Sequence, residues 1–175
     1  MKEGLVGFDR VAVRDEATKA LYKNVTGEEC PLVLDPTWLP FGDPSKKHTN
    51  AWDGKKPYIA IYGFKIDEAS AQAIRLYAKE HGLKIYASGY YQPWADRNFP
   101  GLTPLEWVDF LNASEVVFAG TFHGALYAMR LGKRFVILSN DRIAQKLATP
   151  LKMIGLEEHM PVSYTHLTLP TILLV

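Results

Sequence analysis

Short apolar runs alternate with amphipathic stretches along most of the 175-residue chain. Each run is apolar at consecutive positions, which is typical of strands that a parallel sheet covers on both faces. The clearest runs predict strands at 58–63, 84–89, 115–119 and 134–138. Shorter runs at 11–13 and 32–34 predict two more strands near the start of the chain.

The stretches between these runs carry apolar residues at the three- and four-residue spacing of a helix. They predict helices over 15–24, 67–81, 123–131 and 141–154, the last interrupted by Pro150, and one that begins after Thr103 with a capping box. Residues 90–102 show no period and are expected to be irregular. Strands that alternate with helices through short connections predict an α/β fold, a doubly wound, Rossmann-like parallel sheet.

Two stretches lack this alternation. Residues 36–57 hold four of the eleven prolines and a polar run, which predicts a linker. Residues 162–175 contain no Asp, Glu, Lys or Arg, and their sequence is similar to the translation of a sequencing adapter. We therefore expect a non-native tail there, and the alternative is a genuine β-hairpin or edge segment.

Composition narrows the classes of function. Twenty basic and nineteen acidic side chains give a net charge of +1, too little to recruit nucleic acid or an acidic membrane. The single cysteine, Cys30, excludes an internal disulfide and favours a reducing compartment, so a cytoplasmic protein is expected. No run of eighteen apolar residues predicts a transmembrane segment. The five histidines share no metal-ligand spacing, so no metal site is expected.

The segment 116–124 carries the strongest signal of a binding site. An apolar strand ends there, small residues form a turn and a helix begins, and ligands bind at such carboxyl ends of parallel strands. The first turn of a helix offers backbone N–H groups to a phosphate or carboxylate. Thr121 adds a hydroxyl, and His123 adds an imidazole that can donate a hydrogen bond or a proton. Gly120 and Gly124 let a ligand or another backbone come close. Alternatively, Thr121 is only an N-cap and His123 is a solvated residue.

Two charged residues follow the early strands. Arg14 ends the first one, where a guanidinium can grip a carboxylate or phosphate through two hydrogen bonds. Asp35 follows the second one and can act as a base or position a hydroxyl. For Arg14 the alternative is a surface pair with Asp15 or with an acidic residue of the helix, and for Asp35 it is a turn cap.

Other motifs are absent or weak. The chain has no Gly-x-Gly-x-x-Gly after a strand, no Walker loop and no Gly-x-Ser-x-Gly elbow, which argues against dinucleotide sites, classical nucleotide triphosphate sites and serine hydrolases. Several aromatic side chains can stack on sugar rings, although core packing is the alternative for each. They are Trp38, Trp52, Tyr90, Tyr91, Trp94 and Trp107.

Together these segments resemble the polysaccharide pyruvyl transferase family over about residues 8–157. Residues 13–18 are similar to its Arg-Asp-x-x-Ser segment, with threonine in the place of serine, and residues 34–37 to its Asp-Pro step. Residues 121–128 resemble its Ser-Phe-His-Gly signature, and residues 132–135 the Gly-Lys-Pro-Phe that follows.

The resemblance implies two Rossmann-like domains that face each other across a cleft, as in GT-B glycosyltransferases. It also implies transfer of a pyruvyl group from phosphoenolpyruvate to two hydroxyls of a glycan or lipid-linked sugar, which forms a ketal without a metal or cofactor. Arg14 and His123 would then be catalytic: Arg14 holds the carboxylate or phosphate, and His123 donates a proton. Backbone groups at Phe122 and His123 would seat the phosphate. The implied substrate-binding residues are Asp35, Thr121, Phe122 and Gly124.

Two features qualify that implication. Gly120 stands where the family has Asp, which removes an acid/base or positioning group. The family's chains are about twice as long. Residues 1–35 would then be the tail of a truncated first domain, 36–57 the linker and 58–161 the second domain, and little or no activity is expected in isolation. A GT-B glycosyltransferase that uses a nucleotide-sugar and a non-catalytic sugar- or anion-binding module remain as alternatives.

Overall fold

The structure is a computed structural model that describes residues 4, 8–39, 56–138 and 141–156. In this part of the chain, five strands form one all-parallel sheet in the order β3-β2-β1-β4-β5. The strands are β1 (Tyr58–Gly63), β2 (Lys84–Ser88), β3 (Arg97–Phe99), β4 (Val116–Gly120) and β5 (Phe135–Ile137). The predicted α/β, Rossmann-like fold class is confirmed.

Helices cover both faces of the sheet, as the doubly apolar strands require. They are α1 (Glu16–Thr26), α2 (Glu68–Glu80), α3 (Pro104–Asn112), α4 (Phe122–Arg130) and α5 (Asp141–Met153), with a 3₁₀ turn at Pro36–Trp38. One face packs Ile59 and Ile61 of β1 against Ile74 of α2. On the other face, Ala60 belongs to the core that α3, α4 and α5 complete.

The chain changes direction across the sheet between β1 and β4. It runs outward from β1 through β2 to β3 and returns through α3 to β4 on the other side of β1. Connections that leave neighbouring strands in opposite directions open a crevice at the carboxyl ends of those strands. The crevice of this sheet therefore lies at the ends of β1 and β4.

Helix α3 begins with the capping box that its sequence predicts. The Thr103 hydroxyl accepts a hydrogen bond from the Glu106 amide, and the Glu106 carboxylate accepts one from the Thr103 amide. This reciprocal pair is the predicted capping box, and Pro104 occupies the first turn, where it loses no helical hydrogen bond.

Strand β3 is a correction, because residues 90–102 were expected to be irregular. The strand has only three residues, Arg97–Phe99, and pairs with β2. The Asn98 side chain exchanges two hydrogen bonds with the Gln92 backbone, at 2.8 and 3.0 Å. A strand this short, held by side-chain bonds, leaves no period in the sequence.

Helix α5 is a second correction, since it continues through Pro150 without interruption. Proline removes one helical hydrogen bond, but Leu147 and Leu151 on either side are fully buried in the core. Core packing therefore outweighs the local penalty.

The two early strands are shorter than predicted. Among the described residues they reduce to a single parallel bridge between Val13 and Leu32. The Val13 amide donates to the Pro31 carbonyl at 3.0 Å, and the Val33 amide donates to the Val13 carbonyl at 2.8 Å. The helix between them, α1, forms as predicted, and it carries no buried residue.

Most of the predicted linker (40–55) and the whole predicted tail (162–175) lie outside the described residues. The division of the chain into domains therefore stays a prediction. Of the helices in the described ranges, none combines the length and the apolarity that crossing a bilayer requires.

Candidate functional site

The crevice floor is formed by two glycines at the ends of the central strands. Gly63 of β1 and Gly120 of β4 are partners in the parallel register. A Cβ atom on Gly120 would lie 2.9 Å from the Gly63 Cα, closer than side chains tolerate. Gly120 thus allows another backbone to approach, one of its two predicted uses. The aspartate of the family pattern does not fit at this position unless β1 shifts.

Thr121 is the N-cap of helix α4. Its Oγ1 accepts a hydrogen bond from the Gly124 amide at 3.0 Å, so the N-cap interpretation is confirmed for this residue. The helix begins at Phe122, one residue earlier than predicted. Within the described residues, the amide N–H groups of Phe122 and His123 have no acceptor. These two donors and the positive end of the helix dipole face the carboxyl edge of the sheet.

The absence of a side chain at Gly124 makes room for the Tyr62 ring. The Cβ position of this buried glycine lies 3.0 Å from Cδ1 of Tyr62 and 3.0 Å from Oγ1 of Thr121. The absent side chain therefore lets the Tyr62 ring pack against the first turn of α4. Sequence reasoning had left open whether a ligand or a protein group would use this space.

Arg14 lies beside this helix start. Its guanidinium stacks over the Phe122 ring, with 4.9 Å from Cζ to the ring centroid. Its Nη1 donates a hydrogen bond of 2.5 Å to Oδ2 of Asp35. The predicted alternative, a pair between Arg14 and Asp15, is not formed, because Asp15 caps α1 by accepting from the Thr18 amide at 2.7 Å.

Asp35 has two tasks in the structure. Its Oδ1 accepts from the Thr37 amide at 3.0 Å, which caps the 3₁₀ turn, and its Oδ2 holds Arg14. Burial opposes ionisation of this carboxyl, but the hydrogen bonds from Thr37 and the Arg14 guanidinium together lower its pKa below the ordinary value. Asp35 is thus ionised near neutrality and orients the guanidinium.

Arg14, Asp35 and Phe122 line one hollow together with Trp38 and Thr149. The hollow is shallow, with a volume of about 10 Å³, and it is open to solvent at its mouth. Sequence reasoning missed Thr149 as a contributor, because a lone threonine inside an amphipathic helix carries no signal of a site. Only the packing of α5 beside the start of α1, where the Thr149 Oγ1 accepts from the Glu16 amide at 3.3 Å, brings it here.

His123 does not line that hollow. Its side chain is exposed and meets the Phe122 ring edge-on, with centroids 5.2 Å apart. The Phe122 ring is therefore the shared contact of Arg14 and His123. The structure brings Arg14, Asp35 and Phe122 into one hollow, and it leaves the His123 side chain outside that hollow, exposed to solvent.

Among the described residues, no group of three or more His, Cys, Asp or Glu side chains lies close enough together to hold a metal ion. The polar side chains that line the hollow are the Arg14 guanidinium, the Asp35 carboxylate and the Thr149 hydroxyl. The Phe122 ring links Arg14 to His123 at the start of α4. A guanidinium beside a helix N-terminus suits an anionic ligand.

A family model described as polysaccharide pyruvyl transferase matches residues 2–142. The chain belongs to the polysaccharide pyruvyl transferase family. The matched range contains Arg14, Asp35 and the whole Thr121–Gly124 segment, and α5 lies almost entirely beyond it. No curated protein and no solved structure matches the chain.

Proposed function

We propose that this pyruvyl transferase uses phosphoenolpyruvate as its donor and joins the pyruvyl group to two hydroxyls of a sugar acceptor as a ketal. The acceptor is a glycan or a lipid-linked sugar, and the reaction takes place in the cytoplasm, where phosphoenolpyruvate is made. The observation that carries the proposal is the guanidinium of Arg14 stacked on Phe122, the first residue of α4. In the proposed enzyme, a second Rossmann-like domain faces this one across a cleft, as in GT-B glycosyltransferases.

The donor carries a carboxylate and a phosphate on three carbons, so it needs cationic and N–H donors close together. Arg14 uses Nη1 for Asp35, and its other N–H groups make no hydrogen bond among the described residues. These groups can bind one anionic end of the donor in a charge-assisted contact. The amides of Phe122 and His123 then bind the phosphate, which also interacts favourably with the helix dipole.

The chemistry requires a proton donor beside the enol carbon. Protonation of C3 by His123 makes C2 electrophilic, and the first sugar hydroxyl adds to C2. Cleavage of the bond between C2 and the phosphate oxygen releases inorganic phosphate, and the second hydroxyl then adds to C2 and closes the ketal. The two hydroxyl protons balance the reaction, because one replaces the proton given to C3 and the other leaves with phosphate. Arg14 and the helix amides stabilise the negative charge that develops on the leaving group.

Calorimetric titration of the chain with phosphoenolpyruvate tests the donor site. Arg14→Ala removes a charge-assisted contact and should raise Kd at least about tenfold. His123→Ala keeps the backbone amide that binds the phosphate but removes the imidazole that contacts the donor at C3, and it should raise Kd about fivefold. Arg75→Ala is the control, because Arg75 lies on α2, on the other face of the sheet, in an exposed pair with Glu68. Unchanged affinity in both site variants would refute the proposal.

A non-catalytic anion-binding module is the second candidate, and Gly120 favours it. The family aspartate is replaced there by a glycine against which the β1 backbone is packed. If binding alone remains, phosphoenolpyruvate binds and His123→Ala keeps its affinity, while a protein that also contains the proposed second domain releases no phosphate with any sugar acceptor. Competition with a UDP-sugar separates the glycosyltransferase alternative, since a nucleotide-sugar site would bind the UDP-sugar more tightly than phosphoenolpyruvate.

A further inference from the structure

Five aromatic rings form a continuous row beside the candidate site. The distances between successive ring centroids are 5.6, 5.4, 4.7 and 5.0 Å. We call this set the aromatic row; from the solvent inwards it consists of Phe64, Tyr90, Tyr62, Trp107 and Tyr127. Its inner members pack against the core formed with α3 and α4. Its outer member, Phe64, is 63% exposed, so core packing does not account for it.

The row reaches the first turn of α4. The Tyr62 ring packs on Gly124, three residues after Thr121 and directly after His123. Through Tyr62, the row therefore contacts the helix turn that also carries the backbone amides of Phe122 and His123. The row and the donor site share one edge of the sheet, the carboxyl ends of β1 and β4.

Two residues with left-handed backbone lie next to rings of the row. Lys65 adopts a left-handed conformation, with φ of 51°, directly after Phe64. Gly89 is also left-handed, and a Cβ there would lie 2.8 Å from Cε2 of Tyr62. The loop that carries Tyr90 is tied to the end of β1, because the buried Gln92 donates from Nε2 to the Gly63 carbonyl at 2.8 Å. Lys65 is not a glycine, so its left-handed backbone is strained, and such strain is concentrated at functional sites. Gly89 adopts its conformation without strain.

We propose that the aromatic row is the subsite for the acceptor sugar, with the pyranose ring stacked on Phe64 and Tyr90. This inference rests on the proposed function, because it places the acceptor hydroxyls beside the donor. The C–H face of a pyranose is apolar and packs on aromatic rings, whereas its hydroxyls remain free to react or to bind solvent. Exposed aromatic side chains next to a polar site are typical of ligand surfaces. A nucleobase would also stack, so the test includes a nucleotide.

The test is an amide-resolved NMR titration of the ¹⁵N-labelled chain with methyl glucopyranoside, methyl galactopyranoside and methyl mannopyranoside. At least one glycoside should shift the amides of Phe64 and Tyr90 and the indole signal of Trp107 in a saturable way. Phe64→Ala should raise the Kd of that glycoside at least about fivefold, and Phe64→Trp should retain binding. Phe8→Ala is the matched control, because Phe8 is 67% exposed and belongs to no ring contact among the described residues.

Phosphoenolpyruvate binding is measured in the same samples, and Phe64→Ala should leave it unchanged. The row is overturned as an acceptor subsite if no glycoside shifts these signals, if glycosides shift only the amides of α4, or if UMP shifts the row and glycosides do not. If glycosides bind the row while the unmodified chain does not bind phosphoenolpyruvate, the acceptor subsite is supported and phosphoenolpyruvate is refuted as the donor.

Discussion

Arg14 is held by two neighbours that act on different parts of its side chain. Asp35 accepts from one guanidinium nitrogen, and Phe122 supports the planar face. A guanidinium fixed in this way loses little side-chain freedom when an anion binds, because its orientation already exists in the free protein. This arrangement places the negatively charged Asp35 carboxylate close to the proposed anionic ligand. Hydrogen bonds from Thr37 and Arg14 stabilise the ionised form of that carboxylate.

Asp35→Asn should change how stability depends on pH. The folded pKa of Asp35 lies below its unfolded value, so its ionised form adds stability above about pH 4 and loses that contribution as the pH falls through the folded pKa. The difference in unfolding free energy between the original chain and Asp35→Asn should therefore be largest at pH 6 and shrink towards pH 3. Urea unfolding at both values measures it. An equal difference at pH 6 and pH 3 would show that the ionised carboxylate contributes no stability.

At the scale of elements, the pairing of β1 with β4 sets the shape of the crevice floor. The two strands meet at Gly63 and Gly120 with no side chain between their backbones. The next residue, Thr121, ends the strand and caps α4. The strand-to-helix turn is therefore tight, and the helix amides lie close to the sheet.

Gly120→Ala should destabilise the chain by about 1–3 kcal/mol, because its methyl group would meet the Gly63 backbone, which has no flexible side chain to move aside. Urea denaturation measures the loss. Gly101→Ala is the control, since nothing lies within 4 Å of the Cβ position of Gly101, and its effect should stay below about 1 kcal/mol. Equal stability of the two variants would contradict the close approach of β1 and β4.

At the scale of the whole molecule, the donor site combines segments that are far apart in the chain. Within the described part of the chain, two hydrogen bonds join residues 14–38 to α4 and α5, in addition to apolar contacts. The Thr149 hydroxyl accepts from the Glu16 amide, and Arg130 donates to the Thr37 carbonyl at 2.7 Å. Helix α4 thus contributes to the site at both ends, with its first turn beneath Arg14 and its last turn on the segment that carries Asp35.

Arg130→Met should weaken phosphoenolpyruvate binding although Arg130 does not touch the proposed donor. Loss of the bond to Thr37 loosens the turn that positions Asp35 and, through it, Arg14. We expect the unfolding free energy to fall by about 1 kcal/mol and the Kd to rise at least about threefold. Urea denaturation and calorimetric titration measure these two effects.

Arg75→Met is the control for this prediction, because the exposed pair of Arg75 with Glu68 lies on the opposite face of the sheet. If the Kd for phosphoenolpyruvate stays constant in Arg130→Met, the 3₁₀ turn does not position the donor site. The hydrogen bond from Arg130 to the Thr37 carbonyl then has a structural role only.

Local patterns predicted the regular elements well. The consecutive apolar residues of β1 and β4 and the capping box at Thr103 each have one favourable conformation, so a short window suffices. Strand β3 and the unbroken α5 were predicted wrongly. The Asn98–Gln92 bonds and the burial around Pro150 arise only when distant parts of the chain are in place.

The order of residues along the chain was by itself enough to determine the alternation of strands and helices, the glycine-lined turn before α4 and the types of group that suit an anion. Those properties depend on backbone geometry and side-chain chemistry within a few positions. Only the tertiary structure decided that Arg14 pairs with Asp35 rather than Asp15, that Thr149 joins the hollow, and that Tyr62 fills the space at Gly124. Each of these contacts joins residues at least 21 positions apart, and helix packing and strand order bring such residues together, not local propensity.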